Sequence, residues 1–104
     1  MATKNQQINE FDINGKVLFV GPPEEYQSQA GNKRSFRIIV IETFIGRYSN
    51  PCAFEFNLSN MSQLSDIKVG DWVNITFSLS GYSTKKDGRV RYFSKNIGLA
   101  CIKS

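Results

Sequence analysis

KVGDWVNITFSLSGYSTKKDGRVRYFSKNIGLACI, residues 68–102, decides how this chain folds. Gly70-Asp71 is a turn signal. After it Val73, Ile75, Phe77 and Leu79 alternate with Trp72, Asn74, Thr76 and Ser78, the period of a strand with one buried face. Lys85-Lys86-Asp87-Gly88 is a second turn signal. Residues 90–102 then read as a closing strand, with Gly98 marking a bulge or sharp bend inside it. The segment is a hairpin whose connecting loop spans 81–89.

Working upstream, the strands that this hairpin needs are present. Residues 13–20 (INGKVLFV) alternate as a first strand. Residues 21–32 (GPPEEYQSQAGN) carry two prolines and two glycines and read as a long loop. Residues 33–43 (KRSFRIIVIET) are β-branched and read as a second strand. Residues 44–50 are a connection, and 51–58 (PCAFEFNL) form a third strand with Phe54, Phe56 and Leu58 on one face. Residues 59–67 (SNMSQLSDI) are the single helix candidate. Ser59 or Asn60 would cap it, and Met61, Leu64 and Ile67 would face the core. Residues 1–10 are polar and aperiodic, a flexible arm before one domain over 11–104. The predicted class is all-β: a five-stranded Greek-key OB-fold barrel with one short helix between strands three and four. An SH3-like barrel would not place a helix there.

Composition narrows the function. A chain of 104 residues supports one core. It has no run able to span a bilayer and opens on a polar segment, so a cytoplasmic location is expected. Cys52 and Cys101 lie far apart, outside any C-x-x-C pattern, and read as thiols. There is no histidine. No Walker-type loop appears, and the carboxylates lack metal-ligand spacing. No enzyme, cofactor or metal is called for. The net charge of +4 is mild, but its distribution is not. Between Gly81 and Ser104, Lys85, Lys86, Arg89, Arg91, Lys95 and Lys103 are opposed only by Asp87. That segment is +5, and the rest of the chain −1. A localised basic patch points to an anionic partner.

The stretches NGKVLFVGPP, FRIIVIET, FEFNLSN, VGDWVNITFSLSGY and GRVRYFS also resemble the bacterial and phage single-stranded DNA-binding proteins. They are still more similar to short OB domains related to them, known from Bacteroidetes-type bacteria and their phages. The most telling piece is G-D-x-V-x-I-x-F after a short helix, followed by a Gly-Arg hairpin and Tyr-Phe. The resemblance spans roughly 13–102. It implies binding of single strands with little sequence preference in replication or recombination, usually by a dimer or tetramer. Two features depart from the pattern. Such proteins carry a disordered tail ending in acidic residues that recruits replication and recombination proteins, whereas this sequence stops at CIKS. Family members often carry an aromatic near the end of strand three on its outer face, where this chain has Asn57.

Gripping a strand takes cations for phosphates and flat side chains for bases. In the second strand two registers compete. If Ile39, Ile41 and Thr43 face inward, Arg34, Phe36, Ile38 and Val40 face outward; in the opposite register Arg37 is outward and Phe36 joins the core. Lys33 and Arg34, at the end of loop 21–32, are expected to touch nucleic acid, while Glu24 and Glu25 oppose it. Arg47 and Tyr48 form a candidate pair in the turn after strand two. Trp72 suits a barrel end or an oligomer contact. Tyr82, Lys85, Lys86, Arg89, Arg91 and Tyr92 complete the candidate set, the last hairpin being its main grip. The competing reading is an OB-fold protein-interaction module, a replisome or phage accessory factor, which Glu55 and Asn57 on the nominal binding face favour.

Overall fold

A computed structural model describes residues 7–27 and 30–104. Six strands are present among the described residues: β1 (Phe11–Val20), β2 (Glu24–Gln27), β3 (Lys33–Ile45), β4 (Tyr48–Asn57), β5 (Trp72–Lys86) and β6 (Arg89–Lys103). They pair in the order β1-β5-β6-β4-β3-β2, and a further β1–β3 pairing closes the ring. The closed barrel therefore has the five predicted strands, with β2 attached outside it as a flap on β3. A 3-10 helix over Leu58–Leu64 lies between the third and fourth barrel strands, the position the sequence predicts. Of the arm predicted over 1–10, residues 1–6 lie outside the described residues. Asn9 is hydrogen-bonded to β5: its side chain donates to the Leu79 carbonyl at 2.7 Å and accepts from the Leu79 N–H at 2.9 Å.

The alternating pattern sorts the core. Val17, Ile39, Ile41, Phe54, Phe56, Val73, Ile75 and Cys101 point into the barrel, and Leu64 and Ile67 close one end of it. Phe77 packs edge-on against Phe54, with ring centroids 5.0 Å apart. Thr43 is tolerated among them because its hydroxyl donates to the Asn50 carbonyl at 2.8 Å. Burial pushes the Cys101 thiol up to about 11, with a further contribution from the negative charge of Asp66. Both cysteines are free thiols, in line with their spacing.

Three local readings need correction. Loop 21–32 holds a strand, because Glu24–Gln27 finds an open edge on β3 and pairs Glu24 with Phe36 and Tyr26 with Arg34. Segment 81–89 is not a loop: the β5–β6 ladder runs without interruption from Phe77–Gly98 to Lys86–Arg89, and only Asp87-Gly88 turn. Residues 44–50 likewise reduce to a turn at Gly46-Arg47. Local composition marks these places as polar, but pairing with a neighbour supplies the hydrogen bonds that make them strands. The helix also begins earlier than expected. Asn57 occupies its N-cap without a side-chain bond, Leu58 enters at φ 49, and Leu58 is exposed rather than in the core.

Gly98 does mark a bulge. Thr76 pairs with Ala100 but Phe77 pairs with Gly98, so Leu99 is the extra residue. A Cβ at Gly98 would overlap the Phe56 ring, so glycine is what lets β6 pass over the core here. The bulge has a second effect. Cys101 faces inward, and uninterrupted alternation would turn residues 97, 95, 93, 91 and 89 inward as well. The extra residue reverses that parity and puts them on the outer face.

Candidate nucleic-acid interface

The outer face is built from three pieces. On β3, Ile39 and Ile41 are buried, so Arg34, Phe36, Ile38 and Val40 face out, the first of the two registers. On β4, cross-strand pairing sets Asn57 opposite Phe36 and Glu55 opposite Ile38. On the β5–β6 hairpin, pairing of Tyr82 with Phe93, Thr84 with Arg91 and Lys86 with Arg89 puts these residues on one face together with Lys95. The parallel contact between Glu55 and Ile97 joins hairpin to barrel. The result is a groove between the β2–β3 edge and the hairpin.

Each wall of the groove carries an aromatic pair. Tyr26 and Phe36 lie with centroids 5.6 Å apart, tilted by 58°. Tyr82 and Phe93 are stacked at 5.3 Å and 21°. Between them Tyr26, Glu55, Asn57, Ser80, Tyr82, Lys95 and Ile97 line a depression of about 420 Å³. A second depression, lined among others by Ile38, Pro51, Ala53, Glu55 and Lys95, continues along β4. At the hairpin tip Thr84, Lys86, Asp87, Arg89, Arg91 and Phe93 line a third. Lys95 Nζ is 3.7 Å from Glu55 Oε1 and 5.9 Å from the centre of the Tyr82 ring. Asn57 Oδ1 is shielded from solvent and has no hydrogen-bond partner among the described residues.

The sequence-predicted residues divide accordingly. Arg34, Phe36, Tyr82, Lys86, Arg89 and Arg91 share the outer face, whereas Lys33, one residue before Arg34 at the start of β3, has the opposite parity. Arg37 does not: it has the parity of the core, and its Nε donates to the Gly21 carbonyl at 3.0 Å, fastening the end of β1. Lys85 and Tyr92 lie on the opposite face of the hairpin from Arg89 and Arg91, so the expected grouping of Tyr92 with those arginines does not form. Arg47 and Tyr48 stand at the tip of the β3–β4 hairpin, Tyr48 being 73% exposed. Tyr26, Phe93 and Lys95 are groove residues outside the predicted site set, although Lys95 belongs to the basic segment 81–104. Tyr26 is hidden in a segment that reads as loop. Phe93 and Lys95 follow from Arg91 by simple alternation once 81–89 is read as strand.

A closed five-stranded Greek-key barrel, a helix between its third and fourth strands and a long last hairpin beside an outer-face groove together define an OB-fold domain. The chain belongs to the family described as a domain of unknown function, DUF3127, whose model matches residues 12–98. No curated protein matches the sequence. Solved structures do. The mitochondrial single-stranded DNA-binding protein Rim1 of S. cerevisiae matches with a TM-score of 0.66 at 12% identity, over 94% of this chain and 96% of that one. A Plasmodium falciparum SSB in complex with ssDNA matches with a TM-score of 0.55 at 16% identity, over 98% of this chain and 99% of that one. At these identities the shared property is the fold.

Proposed function

We propose that this protein binds single-stranded DNA, with little dependence on sequence, and coats strands exposed during replication or recombination. The observation that carries this reading is the pair of aromatic platforms, Tyr26–Phe36 and Tyr82–Phe93, facing one groove flanked by Arg34 on one side and by Lys86, Arg89 and Arg91 on the other. Flat rings accept any base by stacking, and cations on the rims take the phosphates. The two solved structures of the same fold are described as single-stranded DNA-binding proteins, which supports the same reading. Arg47 and Tyr48, at the far turn, and Lys85 and Tyr92, on the back of the hairpin, extend the basic surface outside the groove. A homo-oligomer is part of the proposal: Trp72 and Ile102 are exposed on the outer face of β5 and β6, away from the groove, and suit a contact between copies.

Fluorescence anisotropy with a labelled mixed-sequence strand and the same sequence as duplex tests the reading. The single strand is expected to bind more tightly, with affinity falling steeply as salt rises. Equal affinity for the duplex, or no binding at low salt, removes it. The second reading, a protein-interaction module, is favoured by Glu55 and Asn57 on the groove floor, and a stable partner surviving nuclease treatment would support it.

A further inference from the structure

The groove has basic rims but a floor that holds an ion pair, Glu55 with Lys95, and this contrast orients whatever strand lies in it. Glu55 has a side chain only 15% exposed. Its one close charge is Lys95 at 3.7 Å, and among the described residues no hydrogen-bond donor reaches its carboxylate. The pair lines both the central depression and the one that continues along β4, so a strand passing from one to the other crosses it. Asn57, two residues on and on the same face, brings the unpartnered Oδ1. Glu55 and Lys95 offset one another, so the floor carries no net charge and phosphates are drawn to the basic rims instead. Bases stacked on the aromatic walls then turn their edges toward Glu55 and Lys95.

Resting on the single-strand reading above, the geometry points to the Glu55–Lys95 pair as a reader of the Watson–Crick edge of unpaired guanine. Guanine presents two adjacent donors there, N1–H and the N2 amine, which match the two oxygens of one carboxylate. Its O6 is an acceptor, which matches the Lys95 ammonium beside that carboxylate. Thymine offers one donor between two carbonyls, so a carboxylate that meets N3–H also meets an acceptor. Adenine and cytosine each offer one amine next to a ring nitrogen acceptor and satisfy one carboxylate oxygen. Duplex DNA hides this edge altogether. The other positions along the strand stay sequence-tolerant, so the outcome is a bias for strands that can place a guanine over β4, not recognition of a motif.

The test is anisotropy titration of the intact protein with short oligo-dT strands that carry at one central position dT, dG, dA or inosine. The dG strand is expected to bind about fivefold or more tightly than all-dT, the scale of one good bidentate contact. Inosine keeps O6 and N1–H but lacks the N2 amine, so it should lose most of that gain with no change to the protein. E55Q, which keeps shape but not charge, should erase it. Equal affinity for the dG and dT strands, an inosine strand as tight as dG, or a guanine advantage that survives E55Q each overturns the inference and leaves single-strand binding standing. Failure of every strand to bind removes both.

Discussion

Tyr26 shows how one residue changes the character of the groove. It stands on a four-residue strand at the outer edge of the sheet, and its ring is held against Phe36. Alanine at Tyr26 leaves Phe36 without its neighbour and narrows the platform while touching no core residue. Anisotropy should report a loss of about 1–3 kcal/mol in single-strand affinity, the range for one stacked base. Circular dichroism should be unchanged. The two cysteines differ at the same scale. Cys101 is buried and its thiol is raised to about 11, so at neutral pH it is both shielded and protonated. Cys52 is partly exposed and engaged with Asn50 and Thr43. A thiol reagent at about pH 7.5, well below that raised value, should modify Cys101 only after denaturation. Rapid labelling of Cys101 in the folded protein would contradict its placement in the core.

At the scale of the element, the last hairpin is two surfaces back to back. Lys86, Arg89 and Arg91 share a face with Tyr82, Phe93 and Lys95, while Lys85, Val90 and Tyr92 face the other way. Replacing Arg89 and Arg91 with alanine should therefore lower affinity. It should also flatten the dependence on salt, by about 0.7 in the log–log slope for every phosphate that is no longer neutralised. Lys85→Ala, on the opposite face, should change the slope less. Equal effects of all three would mean that the hairpin acts through its net charge and not through one face. The division is set by the bulge at Leu99, next to Gly98, whose missing side chain leaves room for the Phe56 ring. Glycine at 98 is legible as a bulge signal. That the bulge decides which side the arginines occupy is not, since the sign of the alternation depends on how β6 registers against β5.

At the scale of the molecule, barrel and hairpin separate cleanly. The buried core draws on β5 and β6 only through Val73, Ile75 and Cys101, with Phe77 packed against it, and no residue from 82 to 93 is buried. Gly81 and Ser94 face each other in the ladder. Joining them through a two-residue Asn-Gly turn in place of 82–93 suits a tight hairpin. The trimmed protein should still unfold cooperatively, with a Tm within roughly 8 °C of the full chain, the shift that about 1 kcal/mol produces in a domain of this size. Its single-strand affinity should collapse. A trimmed protein that binds as well as the full chain would place the grip elsewhere on the barrel.

The barrel is written into the chain itself: its five strands, most of their inward residues, the helix between the third and fourth, and the basic character of the last hairpin. Each of these is a local property, because alternation of apolar side chains and turn signals are features of consecutive residues. The groove is not local. Phe36 and Arg37 compete for the outer position in the sequence, since both faces of that strand are apolar in the middle, and closure of β1 on β3 resolves the competition by burying Ile39 and Ile41. The strand around Tyr26 exists only because β3 offers it an open edge, and no residue in EEYQ announces that edge. Glu55 meets Lys95 only where β4 and β6 run side by side, forty residues apart in the chain. Encounters of that kind depend on register between distant strands, and a one-residue shift in either would have built a different groove from the same residues.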